Sequence, residues 1–170
     1  MSENLTNNDV RLELRVCVAA QRMDVLAAES GEVLESYVIS SAANGVGFEE
    51  GSFCTPVGNF EVSEKHGDGA ELGTMFVGRK PVGVFNDGED NDGENAEKDH
   101  VLTRILWLHG LDEANANTKA RYIYIHGTNH EQKIGVPASC GCIRMKNADI
   151  VELYEKVPVG TKVVILERAK

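Results

Sequence analysis

Alternating apolar and polar residues predict a chain built mainly from β-strands. Across residues 10–19, apolar side chains take every second position, namely Leu12, Leu14, Val16 and Val18. A period of two is typical of a strand with one face buried. A second strand is predicted near residues 21–26 and a third over 33–41, and the turn residues at 30–32 favour an antiparallel pair.

Shorter apolar runs continue this pattern along the chain. We predict strands within residues 73–85, over 104–110 and 122–125, and over 162–166. A helical period follows Asn147, a residue type that favours the N-cap of a helix. Its apolar face consists of Ile150, Val151, Leu153 and Tyr154. The predicted fold is mainly β with one C-terminal helix.

The composition is that of one globular domain. The chain has 170 residues, 42% of them hydrophobic and 26% charged, so it is long enough to bury a sizeable core. We assign residues 10–170 to a single domain and residues 1–9 to a polar, disordered N-terminal tail. The net charge of −10 argues against a surface that binds nucleic acid or an anionic membrane.

The sequence gives an expectation about the cellular compartment. It contains no apolar run long enough for a membrane span or for the core of a secretory signal. The four cysteines, Cys17, Cys54, Cys140 and Cys142, are not spaced as a disulfide framework. These features favour a cytoplasmic protein. The alternative is a periplasmic protein whose sequence has been trimmed.

The most acidic segment covers residues 86–99. It holds seven acidic residues against the single base Lys98, a net charge of −6. Its glycines do not fit the spacing of an EF-hand calcium loop. We therefore expect a solvated surface loop.

Residues 122–145 carry the strongest candidate chemistry. His126 and Gly127 follow a predicted strand, and Cys142 lies in a glycine-containing turn, so a loop would bring a base and a nucleophile together. A neighbouring imidazolium and Arg144 would lower the pKa of the Cys142 thiol. The N–H groups of Gly141 and Cys142 would form an oxyanion hole.

Two motifs in this stretch and one upstream resemble a known family. They are His126-Gly127-Thr128, Ser139-x-Gly141-Cys142-Ile143-Arg144 and Thr55-Pro56-x-Gly58-x-Phe60. All three are similar to sequences of the L,D-transpeptidase catalytic domain, a family of bacterial cysteine enzymes that act on peptidoglycan stem peptides. The family pattern usually has a histidine where this chain has Cys140.

The resemblance implies a fold and a set of site residues. The expected fold is a β-sandwich with one C-terminal helix packed on it. Cys142 would be the acylated nucleophile, His126 its general base, and Gly127 the donor of a backbone carbonyl that orients the imidazole. The substrate-binding residues would be Arg144, Ser139 and Tyr124.

The resemblance also implies a reaction. The enzyme would cleave the L,D bond before a terminal D-alanine through a Cys142 thioester, with no metal or organic cofactor. Transfer to water would make it a cytoplasmic L,D-carboxypeptidase that trims tetrapeptides to tripeptides in peptidoglycan recycling. Transfer to an amine would make it a periplasmic L,D-transpeptidase that forms 3→3 cross-links. The expected partners are peptidoglycan stem peptides and, as inhibitors, carbapenems.

Three other interpretations remain open at this stage. Four residues, His126, His130, Cys140 and Cys142, supply zinc-compatible side chains within one short segment. A non-catalytic protein that binds peptidoglycan fragments is compatible with the residue change at Cys140. A disulfide between Cys140 and Cys142 would require a strained turn, because their Cα atoms would lie near the limit of roughly 7 Å on an extended backbone.

Overall fold

The computed structural model describes residues 10–90 and 98–169. The strands of this part of the chain are β1 (Leu12–Cys17), β2 (Arg22–Ala27), β3 (Val33–Val38), β4 (Gly58–His66), β5 (Thr74–Val77), β6 (Lys80–Val84), β7 (Val101–Gly110), β8 (Tyr124–Thr128), β9 (Ile143–Met145) and β10 (Lys162–Leu166). The α-helices are α1 (Asp87–Asp90) and α2 (Asn147–Lys156), and a 3-10 helix covers Glu131–Lys133. The predicted tail at residues 1–9 and most of the acidic segment, residues 91–97, lie outside the described residues.

The ten described strands are joined by hydrogen bonds into one sheet. Its main path runs β3–β2–β1–β10–β4–β7–β5–β6, with β8 paired to β7 and β9 paired to β8. The pairs β1–β10 and β8–β9 are parallel, and the other pairs are antiparallel. The last strand, β10, therefore pairs with the first, β1.

One large apolar core joins two parts of this sheet. It contains side chains from β1, β2 and β10 as well as from β7, β8 and β9, so the sheet must curve around it. Helix α2 closes the core with Ile150, Leu153 and Tyr154. The predicted mainly β fold with a C-terminal helix is confirmed. In the described residues no helix is long and apolar enough to cross a membrane.

Two local predictions need correction. His126 lies inside β8 and not at its end, because Tyr122 and Ile123 precede the regular strand. Asn147 is the first residue of α2, and Lys146 takes the N-cap position. The Asn147 side chain instead donates to the Thr128 carbonyl and accepts from the Thr103 hydroxyl, which ties the helix to the sheet.

Gly127 is the position where β8 approaches α2 most closely. A Cβ at this residue would lie 2.3 Å from Asn147 Oδ1 and 2.7 Å from the Leu102 carbonyl oxygen. The second atom belongs to the backbone of β7 and cannot move aside easily. Any side chain here would therefore push β8 away from its neighbours.

We predict that Gly127→Ala lowers the free energy of unfolding by about 1–3 kcal/mol, the range expected for overpacking a buried site. Gly88→Ala is the matched control, since its Cβ would meet only the Asn86 side-chain oxygen at 3.4 Å on an exposed helix. Urea denaturation measures both variants. If Gly127→Ala and Gly88→Ala had the same free energy of unfolding, the close approach at Gly127 would be contradicted.

Candidate active site

The register of β7, β8 and β9 brings the candidate catalytic side chains to one surface. His126 lies opposite Arg144, and Tyr124 lies opposite Trp107. Extending the β8–β9 register by one residue places Cys142 beside Tyr124. Alternate residues of a strand point to the same face, so the thiol and the imidazole share a face. The intervening residues of β8 and β9 enter the large core.

The backbone of the segment that enters β8 holds the Cys142 thiol. Its sulfur accepts from the Tyr124 N–H at 3.3 Å, and the S–H donates to the Tyr122 carbonyl at 3.4 Å. Cys142 is partly buried and packs against a second apolar cluster that includes Trp107 and Tyr124. In the described part of the chain the thiol makes no hydrogen bond with His126, so the resting sulfur is bound by backbone alone.

This environment does not activate the thiol in advance. Burial raises the pKa of Cys142 to about 12; Asp99 and Cys140 add to that rise, while the Tyr124 N–H and Arg144 oppose it. Arg144 does lower the pKa of the Cys142 thiol as predicted, but burial outweighs its effect. The predicted imidazolium is absent, because burial lowers the pKa of His126. Cys142 is a neutral thiol at pH 7, and its proton must be removed during the reaction.

A backbone carbonyl fixes the tautomer of His126 that a general base requires. The ring is 2% exposed, and its Nδ1–H donates to the Gly127 carbonyl at 2.5 Å. Since a carbonyl only accepts, the proton is on Nδ1, and Nε2 is left as the basic nitrogen. Burial lowers the pKa of His126, against the opposing effects of Asp99 and the Gly127 carbonyl. The imidazole is therefore neutral at pH 7.

The turn that carries the thiol is closed by Ser139. Its hydroxyl accepts from the Gly141 N–H at 3.2 Å and donates to the Cys142 carbonyl at 2.6 Å. Gly141 has φ +127, and a Cβ there would lie 3.2 Å from the Cys54 carbonyl. The predicted oxyanion hole is corrected, because the Gly141 N–H already has an acceptor. Among the described residues, the Cys142 N–H donates to no protein acceptor, so it is available to an oxygen of a bound molecule.

Arg144 is an internal residue. Its side chain is 1% exposed, with Nη1 3.1 Å from Asp99 Oδ1 and Nη2 3.2 Å from Ser40 Oγ. Its Nε is buried without a hydrogen-bond partner in the described residues. The predicted substrate-binding role requires an exposed guanidinium, whereas Arg144 is buried against Asp99 and Ser40. The carboxylate of Asp99 also accepts from the Thr128 hydroxyl at 3.0 Å, which joins the last residue of the acidic segment to β8.

Tyr124 belongs to an aromatic group that the sequence did not reveal. Its hydroxyl accepts from Arg79 at 3.1 Å, and its ring meets Trp107 edge-on at 5.7 Å. Trp107 also stacks on Tyr122 at 5.8 Å. Only one local signal marks Arg79, its place in a basic pair with Lys80. No local pattern indicates its contacts with Trp107, Tyr122 and Tyr124, which lie 28 or more positions later.

Two other predictions, a zinc site and a disulfide between Cys140 and Cys142, depend on the positions of Cys140 and His130. All four cysteines are free thiols, and Cys140 is exposed. His130 is buried and lies 4.0 Å from Asp99. Within residues 10–90 and 98–169, no group of three or more histidine, cysteine or acidic side chains could hold a metal ion. The zinc interpretation therefore lacks its ligand set.

We predict that alkylation of Cys142 by iodoacetamide is slow at pH 7.5 and rises about tenfold per pH unit past pH 9, because the thiolate fraction is small below the raised pKa. Peptide mass mapping at pH 7.5, 8.5 and 9.5 measures the modification at Cys142 itself. A cysteine-containing tetrapeptide is the control and should level off near pH 9. If the alkylation rate of Cys142 levelled off at the same pH as that of the control peptide, the raised pKa would be contradicted.

Comparison with known proteins places this geometry in a family. The profile of YkuD, the L,D-transpeptidase catalytic domain, matches residues 13–165. The "Putative L,D-transpeptidase YqjB" of Bacillus subtilis is 48% identical over 50 residues, which are 29% of this chain and 28% of the relative. The aligned part is therefore less than two thirds of that relative's own length.

Solved structures show the same fold. Bd1075 of Bdellovibrio bacteriovorus superposes with a TM-score of 0.58 at 12% identity, covering 95% of this chain and 49% of that one. The LD transpeptidase LdtMt1 in complex with imipenem superposes with a TM-score of 0.55 at 16% identity, covering 92% and 59%. The family profile spans every strand of the site, from β7 through Cys142 to β9. The chain belongs to the L,D-transpeptidase catalytic domain family.

Proposed function

We propose that this protein is a cysteine acyltransferase that cleaves the L,D peptide bond before a terminal D-alanine in peptidoglycan stem peptides. The observation that carries the proposal is the pairing of β8 with β9, which sets the Cys142 thiol and the His126 imidazole on one face with Nδ1 held by the Gly127 carbonyl. Family membership supports the substrate class.

The first half-reaction forms a thioester. Substrate binding turns the S–H of Cys142 from the Tyr122 carbonyl toward Nε2 of His126. Nε2 takes the proton while the sulfur attacks the scissile carbonyl carbon, so general-base assistance replaces a preformed thiolate. The Cys142 N–H stabilises the developing oxyanion, a type of contact commonly worth about 3–4 kcal/mol. The C–N bond then breaks, and D-alanine leaves with the proton from His126.

The second half-reaction returns the thiol. We propose water as the acceptor, which makes the protein an L,D-carboxypeptidase that converts tetrapeptides to tripeptides in peptidoglycan recycling. His126 takes a proton from the water as its oxygen attacks the thioester carbonyl. The C–S bond then breaks, and His126 returns the proton to the Cys142 sulfur as the tripeptide leaves. The cytoplasmic location proposed below supports this choice, because water is the abundant acceptor in that compartment.

The proposal includes a cytoplasmic location. The exposed Cys140 thiol lies two residues from the nucleophile, and such a pair persists as free thiols in a reducing compartment. Fractionation of cells that express the native gene tests this point, and recovery of the protein in the periplasm would contradict it.

Product analysis tests the reaction. We predict that the purified protein converts a tetrapeptide stem to tripeptide plus D-alanine, and that adding an amine-bearing second stem yields no cross-linked product. Cys142→Ala should lose roughly 10³-fold or more of the rate, as expected for loss of a nucleophile. Cys140→Ala is the matched control and should stay within about threefold, because its side chain is exposed.

Two outcomes would change the proposal. If mass spectrometry shows a 3→3 cross-linked dimer as the main product, the protein is a transpeptidase. Its relatives carry that activity in their names. Equal loss of activity in Cys140→Ala and Cys142→Ala would show that Cys142 is not the single nucleophile.

We also predict that imipenem acylates Cys142, since its strained β-lactam carbonyl is an electrophile for the same thiol. The intact mass should increase by one drug equivalent in the wild type and in Cys140→Ala, and remain unchanged in Cys142→Ala. The bound imipenem of the LdtMt1 structure supports the expectation. A wild-type protein that keeps its mass under prolonged incubation would count against it.

A further inference from the structure

The tip of the β5–β6 hairpin places a guanidinium over the aromatic group beside the thiol. Val77 pairs with Lys80, so Gly78 and Arg79 form a two-residue turn, and both have positive φ, +55 and +67. The guanidinium carbon of Arg79 lies 4.3 Å from the Trp107 ring centre and 5.6 Å from that of Tyr122. The hairpin thus holds one cation in a defined position.

A single residue connects this cation to the nucleophile. The Tyr124 N–H donates to the Cys142 sulfur, and the Tyr124 hydroxyl accepts from Arg79 Nη1 at 3.1 Å. The thiol and the guanidinium therefore contact the two ends of one tyrosine. A substrate whose scissile carbonyl and terminal carboxylate are one residue apart spans only about 3.5 Å of backbone between them. Its terminal carboxylate therefore stays close to the bond that the thiol attacks, on the side of the site where Tyr124 holds Arg79.

The chemistry of Arg79 selects a carboxylate. A guanidinium has five N–H donors, and the described contacts of Arg79 use one of them. In the described part of the chain, no carboxylate lies within ion-pair distance of Arg79. Glu64 is taken by Lys119 at 2.8 Å and by His66 at 3.2 Å. A guanidinium with its face on aromatic rings keeps its donor edge free for a carboxylate.

We propose that Arg79 binds the free terminal carboxylate of the substrate and so selects stem peptides that end one residue after the scissile bond. This inference rests on the proposed function, and it names the residue that sets chain-length specificity. A peptide extended by one further residue, or capped as an amide, loses the ion pair with Arg79.

The experiment compares two substrates across three variants. The substrates are the tetrapeptide with a free C-terminal acid and the same peptide as a C-terminal amide. The variants are Arg79→Gln, Arg79→Lys and Lys80→Gln, the last being the matched control for loss of one positive charge at an exposed neighbouring position. The readouts are kcat and KM for each pair.

The expected result is a loss confined to one substrate. Arg79→Gln should lower kcat/KM for the acid by about 10–100-fold, mainly through KM, because it removes a charge-assisted contact. The value for the amide should stay within about threefold of wild type. Arg79→Lys should keep part of the preference for the acid, and Lys80→Gln all of it. Equal losses on both substrates would show a merely structural role, and an acid preference that persists in Arg79→Gln would overturn the proposal.

A binding measurement separates this proposal from the proposed function. Trp107 is the single tryptophan of the chain and contacts Arg79, so its fluorescence reports on ligands at the hairpin tip. The Cys142→Ala protein is titrated with the acid and the amide, with and without Arg79→Gln. Tighter binding of the acid that disappears in Arg79→Gln supports the carboxylate site even when the wild type cleaves neither peptide. Equal binding of acid and amide overturns it, whatever the turnover.

Discussion

The parallel pairing of β8 with β9 is the constraint on which the rest of the site depends. It covers only three residue pairs, yet it decides which side chains face the core and which face the substrate. Ile125 and Ile143 point into the core, whereas His126 and Arg144 point to the site. A slip of one residue would exchange the two sets. The β8 contacts with α2 and β7 at Gly127, and the backbone hydrogen bonds between Ser40 and Arg144, fix this register.

A buried ion pair sets the electrostatics of the surface that this register creates. Arg144 lies beneath the site with its charge matched by Asp99, so the pair adds little net field at the thiol. Removing either partner would leave a buried charge uncompensated, which typically costs about 3–5 kcal/mol and less where one partner is partly exposed. Because the two charges oppose each other, burial dominates the pKa shifts of both Cys142 and His126. The thiol and the imidazole are therefore both neutral in the resting site.

The parts of this molecule that follow from local sequence were predictable, and those that follow from long-range register were not. Alternation over residues 10–19 predicted β1, and the strands predicted near residues 21–26, over 33–41 and over 162–166 correspond to β2, β3 and β10. The motif residues also indicated the His126 and Cys142 pair.

The missed features share a physical cause. Asp99 looked like one more acid in a charged run, because nothing local shows that it pairs with Arg144. The Gly141 N–H looked free, because the sequence does not show that Ser139 folds back onto it. Arg79 and Trp107 meet only through the sheet order β7–β5–β6, which cannot be read from either segment alone.

The backbone at Arg79 has an evolutionary consequence. Its φ of +67 belongs to a region where glycine or asparagine is accommodated with less strain, so the native residue holds the turn at a cost in stability. Selection for stability alone would favour replacement of Arg79 by one of those smaller residues, which would remove the guanidinium. Under the role proposed for Arg79, the hairpin tip exchanges stability for recognition. Relatives with glycine or asparagine at this position would form sturdier hairpins and discriminate less among peptide ends.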